Sequence, residues 1–430
     1  MNMIKFGDQV RVTTKDEVIE GLFLQRPEIL EGEFTVIKLD NGYNIGIDNK
    51  KIKKIEILKA YQAPKQTKTK FKHDPKLPDV SMLSFGGTIS SKVDYRTGGV
   101  YADYTAEDFV QLCPELTKIA NLTPKKVMST MSEDYTSADW STMAKAITSE
   151  LNSGAAGVIA TQGTDTLHFS TAAMSFMLKN INKPVIFTAA QRSIDRGSSD
   201  AFMNLICATT AAAKFDGAEV VTCMHGTSSD DYCILNRGTK VRKMHTSRRD
   251  AFRPINELPL AKVSEKGEIT ITNKEYNKRK KQKVEVDDKF DDKTALVYIY
   301  PNIDPGIIEY YIDNKFSGIV IAATALGHVP TESKNSLLPS IEKAKKAGIP
   351  VVIASQTIYG RVHPYVYTNL RKLSIELECI FVEDMTPETA YVKLGWVLGH
   401  TKDMKKVKEL MLTNIAGEFN KRLDVESYLY

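Results

Sequence analysis

From Val80 onward one texture recurs along the chain. Continuous apolar, strand-like runs appear at Val80–Leu83, Lys126–Met131, Gly157–Thr161, Pro184–Ala189, Glu219–Met224, Ala295–Tyr300, Gly318–Ala323 and Pro350–Ala354. Helical patterns such as Ser137–Leu151 and Thr166–Leu178 lie between them. A strand without polar alternation has no face to show to water, so both faces must be covered. Strands of this kind alternating with helices predict a parallel sheet with helices on both sides, a doubly wound α/β architecture. The lysine-rich, turn-rich stretch 261–293 breaks the pattern, with strand-like pieces around Ile269–Ile271 and Val284–Val286, and reads as a hairpin-like connection. The expected division is an α/β domain over 80–293 and a second, smaller one over 294–430.

The first 60 residues differ. Gln9–Thr13, Gly21–Leu24, Glu33–Leu39 and Asn44–Ile47 are short runs rich in β-branched residues, punctuated by turn formers such as Asp40-Asn41-Gly42. Their spacing predicts a small SH3-like or Sm-like β-barrel domain over 1–60. Residues 61–79 are lysine- and proline-rich without apolar period, and read as a linker. With 430 residues, two to four domains are expected, at roughly 100–200 residues each. A net charge of +5 is too mild to argue for nucleic-acid binding by itself. The five cysteines are scattered and never in a C-x-x-C pair, so neither a disulfide framework nor a zinc site is expected. No signal peptide and no run of roughly 18 apolar residues is visible, which points to the cytoplasm.

In open α/β sheets the ligand sits beyond the carboxyl ends of the strands. There the first strand runs into Phe85-Gly86-Gly87-Thr88-Ile89, the second into Ser132-Glu133-Asp134, and the third into Thr161-Gln162-Gly163-Thr164-Asp165-Thr166. Hydroxyls and carboxylates from distant segments thus collect at one edge. Such a cluster suits acyl transfer. A threonine hydroxyl becomes nucleophilic when a base takes its proton, and a lysine held neutral can be that base. An acidic residue can hold a substrate ammonium and a serine its carboxylate, while the N–H groups of a glycine turn can stabilise an oxyanion. Taken singly, Gly163-Thr164-Asp165-Thr166 reads equally well as a helix N-cap.

The two threonine segments and the serine segment between them resemble the signatures of the bacterial-type L-asparaginases, and the resemblance covers about residues 79–430. The run Asn236 to Phe252, and Ser91-Lys92-Val93-Asp94-Tyr95-Arg96-Thr97-Gly98, resemble one branch, the D subunits of archaeal glutamyl-tRNA(Gln) amidotransferases. The added N-terminal β-domain is similar to that branch too. Gln162 stands where stand-alone enzymes commonly have histidine, and Phe85 where the family often has a small hydroxyl residue.

The resemblance implies an L-asparaginase-like two-domain fold and a glutaminase half-reaction. Ammonia is released from glutamine for a partner subunit of the E type, which uses ATP and Mg²⁺ to convert Glu-tRNA(Gln) to Gln-tRNA(Gln). No cofactor or metal is expected in this chain. A homodimeric core is implied, in which a neighbouring subunit completes the site. By position, Thr88 is the nucleophile, with Tyr95 on a lid beside it. Thr164 and Lys243 form a second hydroxyl-and-base pair. Asp165 and Glu133 hold the substrate ammonium, Ser132 its carboxylate, and Gly87 belongs to the substrate-binding turn. Lys240 is the alternative to Lys243. The arginines around this lysine, Arg237, Arg242, Arg248 and Arg249, offer a means of lowering its proton affinity. The rival readings are a stand-alone L-asparaginase and a non-catalytic RNA-binding scaffold.

Overall fold

The computed structural model describes residues 4–5, 7–24, 32–40, 43–61, 73–87, 91–93, 100–102, 112–192, 194 and 199–430. The chain divides into one unit of residues 1–72 with 91–103, and a second of 73–90 with 104–430.

The first unit holds a five-stranded antiparallel sheet. Its strands are β1 (Gln9–Thr14), β2 (Val18–Leu24), β3 (Phe34–Lys38), β4 (Asn44–Asp48) and β5 (Ile52–Lys59), in the order β4-β3-β2-β1-β5. Alternation along β1 sends Val10 and Val12 inward, where they meet Ile37 and Ile47 in a small core. The fifth strand, IKKIEILK, is absent from the sequence-based expectation because its lysines and a register shift near Ile52 mask the alternation of Ile55 and Ile57. The expected turn at Asp40-Asn41-Gly42 lies partly outside the described residues.

The second unit is built on an eight-stranded sheet. Five strands are parallel, in the order β9 (Asn121–Lys126), β6 (Asp79–Ser84), β10 (Gly157–Thr161), β12 (Val185–Thr188) and β13 (Val220–His225). Three antiparallel strands extend it: β14 (Tyr232–Arg237), β17 (Ala261–Ser264) and β18 (Ile269–Ile271). The sheet is therefore mixed, where the sequence predicts a parallel one. Successive residues of β10 enter opposite cores: Val158 and Ala160 join the layer of helices α1 (Ser137–Asn152) and α2 (Leu167–Met177), while Ile159 joins that of α3 (Ala201–Lys214). This two-sided burial is what the unbroken apolar runs encode.

Two expectations need correction. The run Lys126–Met131 is not a strand; β9 ends at Lys126, and it is an edge strand that tolerates Pro124. The stretch 261–293 is not one hairpin. Its first part supplies β17 and β18 to the main sheet, and its second, β19 (Glu285–Val286), pairs instead with β11 (Leu178–Lys179).

A second parallel sheet follows, in the order β20 (Thr294–Tyr298), β21 (Gly318–Ala323), β22 (Val351–Ser355) and β23 (Ile380–Phe381). It is flanked by α4 (Gly306–Asp313), α5 (Leu338–Lys346) and α6 (Pro387–His400). The α6 helix packs against α2, with Trp396 stacked on Phe176 at 6.0 Å and Tyr391 edge-on to Phe169 at 6.1 Å. One apolar layer thus runs across both α/β sheets.

Candidate active site

Three loops leave the carboxyl ends of β6, β9 and β10 and interlock. The Phe85 N–H donates to the Thr161 carbonyl at 2.8 Å, which carries the pairing of β6 and β10 into the loops. Gly87 has φ +82°, and a Cβ there would lie 2.0 Å from the Gly163 nitrogen. A Cβ on Gly163 would in turn lie 2.6 Å from Ser132 Oγ. Only glycine allows backbone to approach backbone this closely. Two hydrogen bonds tie the third loop in: Thr166 Oγ1 donates to the Ser132 carbonyl at 2.6 Å, and the Tyr135 hydroxyl to the Phe85 carbonyl at 2.8 Å. Ser132 is buried and opens a 3₁₀ turn, while its neighbour Glu133 is exposed.

A short hairpin supplies the amine. β15 (Val241–Lys243) pairs with β16 (Phe252–Pro254), and Lys243 stands opposite Phe252. Lys243 Nζ donates to Thr164 Oγ1 at 2.9 Å and to Asp165 Oδ1 at 2.6 Å. Thr164 is buried, the Lys243 side chain is 12% exposed, and the Asp165 side chain is 62% exposed. The cluster therefore opens to solvent through its carboxylate. The Lys243 hydrogen bond holds the Asp165 carboxyl below the usual range, against a smaller opposing effect of burial. A lysine donating to a hydroxyl that is otherwise buried has the geometry for proton exchange with it.

Lys240 is elsewhere. It is fully buried and donates to Asp384 Oδ2 at 2.6 Å and to the Asp384 carbonyl at 3.2 Å. The arginines expected to act on the lysine each carry a carboxylate of their own. Arg237 pairs with Glu219 and Glu257, Arg242 with Glu388 at 2.9 Å, Arg248 with Asp250, and Arg249 with Asp230. Thr88 and Tyr95 lie outside the described residues.

One residue near the cluster has no counterpart among the sequence-based candidates. His168, three positions beyond Asp165, is buried at the start of α2, and its Nδ1 has no hydrogen-bond partner. Burial, reinforced by Arg242 and Lys243, pushes its pKa down to about 3, so the imidazole is neutral. Among the described residues no group of three or more His, Cys, Asp or Glu side chains is arranged to hold a metal, and none of the helices is long and apolar enough to cross a membrane. All five cysteines are buried and free.

Comparison with known proteins adds three matches to family models. Residues 79–277 match "Asparaginase, N-terminal", 293–411 the "Glutaminase/Asparaginase C-terminal domain", and 4–58 the "GatD N-terminal domain". The chain is 49% identical to the D subunit of the glutamyl-tRNA(Gln) amidotransferase of Thermococcus kodakarensis, over 98% of this chain and 96% of that one. It is 46% identical to the corresponding D subunit of Pyrococcus abyssi, over 99% and 97%. Among solved structures, the thermostable L-asparaginase from Thermococcus kodakarensis superposes with a TM-score of 0.71 at 27% identity, covering 80% of this chain and all of that one.

Proposed function

The chain belongs to the family of glutamyl-tRNA(Gln) amidotransferase D subunits, built on the asparaginase fold, and we propose that it hydrolyses the side-chain amide of glutamine through a threonine nucleophile. It is an amidohydrolase subunit of a tRNA-dependent amidotransferase. The ammonia it releases serves a partner subunit of the E type, which uses ATP and Mg²⁺ to activate Glu-tRNA(Gln) and accept the nitrogen. The tRNA reaches this chain only through that complex, which works in the cytoplasm around a homodimer of D subunits.

In this reading the Thr88 hydroxyl adds to the amide carbon and ammonia leaves, giving an ester on the threonine. Water then adds to the ester carbonyl, glutamate departs and the hydroxyl regains its proton. Thr164 relays protons between the reacting atoms and Lys243, and Tyr95 closes over the site. Asp165 and Glu133 take the substrate ammonium, Ser132 its carboxylate, and the Gly87 turn offers N–H groups to the developing oxyanion.

The observation that carries the reading is the 2.9 Å bond from Lys243 Nζ to Thr164 Oγ1, beside a carboxylate open to solvent. The test is ammonia release from glutamine by the purified chain, with and without partner and tRNA. Thr88→Ala and Thr164→Ala are expected to fold and lose it. Turnover at the wild-type rate in either variant overturns the assignment.

A further inference from the structure

The loop after β23 and the first turn of α6 grip the strand that carries Lys243 and the residues just before it. Thr389 Oγ1 donates to the Thr239 carbonyl at 3.0 Å, Lys240 donates to Asp384, and Arg242 pairs with Glu388. Three of the four residues preceding Lys243 are thus held by Asp384, Glu388 and Thr389, some 140 positions further along the chain. Two of these grips fasten the backbone or lie wholly inside the core. The third does more, because Arg242 is the immediate neighbour of Lys243 and carries a full charge.

Glu388 is fixed at the start of a helix with its carboxylate turned to Arg242. It lies in the first turn of α6, at the positive end of the helix dipole, and accepts from Arg242 and from the Tyr298 hydroxyl at 3.3 Å. Its second oxygen, Oε2, is buried without a partner. Among the described residues, Lys243 bonds Thr164 and Asp165 from the loop before α2, stands opposite apolar Phe252 on β16, and acts electrostatically on His168 of α2. His168 is neutral and adds no charge. The charges placed around the amine are therefore Asp165, bonded to it, and Arg242 with its counter-ion, one residue back along the strand.

We propose that Glu388 is a positioning residue for the amidohydrolase reaction, fixing Arg242 and offsetting its charge so that Lys243 meets Thr164 in the geometry and field that proton transfer requires. The inference rests on the glutaminase reading above.

The experiment follows ammonia release against pH for the full chain in its amidotransferase complex, in four forms: wild type, Glu388→Gln, Glu388→Asp and Arg242→Gln. Neutralising Glu388 leaves Arg242 unbalanced beside an amine that must shed a proton. The rising limb of kcat then moves to lower pH by about half a unit, a size suited to charges several ångströms apart at a partly buried site. Removing the arginine leaves the carboxylate and moves the limb the other way. Glu388→Asp keeps the charge and holds the limb at its wild-type pH even where kcat falls through misalignment. KM for glutamine stays within about twofold throughout, since neither group reaches substrate. Melting temperatures are recorded for each form. Limbs that stay in place, or that move together, overturn the proposal, as does a loss of kcat that follows melting temperature alone. Wild type that releases no ammonia, or Thr164→Ala that releases it normally, sinks the glutaminase reading instead, so the two failures are told apart.

Discussion

Lys240 and Lys243 stand three residues apart and live in different worlds. At the root of the hairpin Lys240 is sealed from water, and its charge is matched by Asp384, which also accepts from the Asn420 backbone and side chain. At the tip Lys243 bonds a hydroxyl that is itself buried and a carboxylate that is mostly wet. The first arrangement leaves little room for change, since both members of the pair are committed within the core. The second leaves the amine one partner whose proton it can exchange. A lysine becomes chemically useful when its surroundings hold it in place without satisfying it completely.

The largest expected effect strikes the root. Lys240→Met strands the Asp384 carboxylate in the core, and removing one partner of a buried pair costs about 3–5 kcal/mol. Denaturant unfolding should show that loss. Combining Lys240→Met with Asp384→Leu should restore most of it, because the charge to be buried is gone. A double variant as unstable as the single one would break the contrast between root and tip. At the tip the balance reverses. Lys243→Met should lower glutamine turnover by about 10²–10⁴-fold while changing stability by about 1 kcal/mol, because the carboxylate left behind, Asp165, is open to water. Equal damage to stability from both substitutions would erase the distinction.

Asp165→Asn sharpens the comparison further. It removes the solvent-side charge and the proposed grip on the substrate ammonium, so KM for glutamine should rise about tenfold, the worth of one charge-assisted hydrogen bond. An unchanged KM would point to a role confined to Lys243. The smallest effect concerns acid. The Asp165 carboxyl is held below its ordinary range, chiefly by Lys243. A depressed carboxyl contributes stability that is present above the unfolded value of about 3.9 and is lost as pH falls through the folded value. The step should be small, because the group is largely in water, and Lys243→Met should abolish it. Denaturation midpoints from pH 5 downward measure it.

Much of the fold is legible in the chain because local pattern and position agree. The strands β6, β10, β12 and β13 are mostly apolar and, Asp79 apart, buried along their whole length, and the clusters of polar loop residues begin where they stop. The loops at 132 and 161–166 fall on one edge for that reason. What stays hidden depends on residues far away. Nothing within three positions separates Lys240 from Lys243; Asp384, 144 residues on, decides it. The apolar run after β9 looks like a strand because Val127 and Met128 pack against the core, yet as loop. Of the three antiparallel strands only Ile269–Ile271 is legible in the sequence; Tyr232–Arg237 escapes because it ends in polar residues that become buried only through partners elsewhere. His168 carries no motif; its significance comes from the charges that fold in around it.

The meeting of Gly87 with Gly163 has a consequence for how such a protein can be altered. Real Cβ atoms do not come within 3.0 Å of a neighbour, and here the gap on offer is 2.0 Å. Any side chain at position 87 must therefore prise two loops apart by about an ångström or more, moving Thr164 away from whatever attacks beside it. Diversity introduced by recombination or directed evolution will be tolerated at the solvent-facing Glu133 and Asp165 long before it is tolerated at this crossing. The pair of glycines works as a rivet, and the freedom to acquire new substrates lies in the side chains arranged around it.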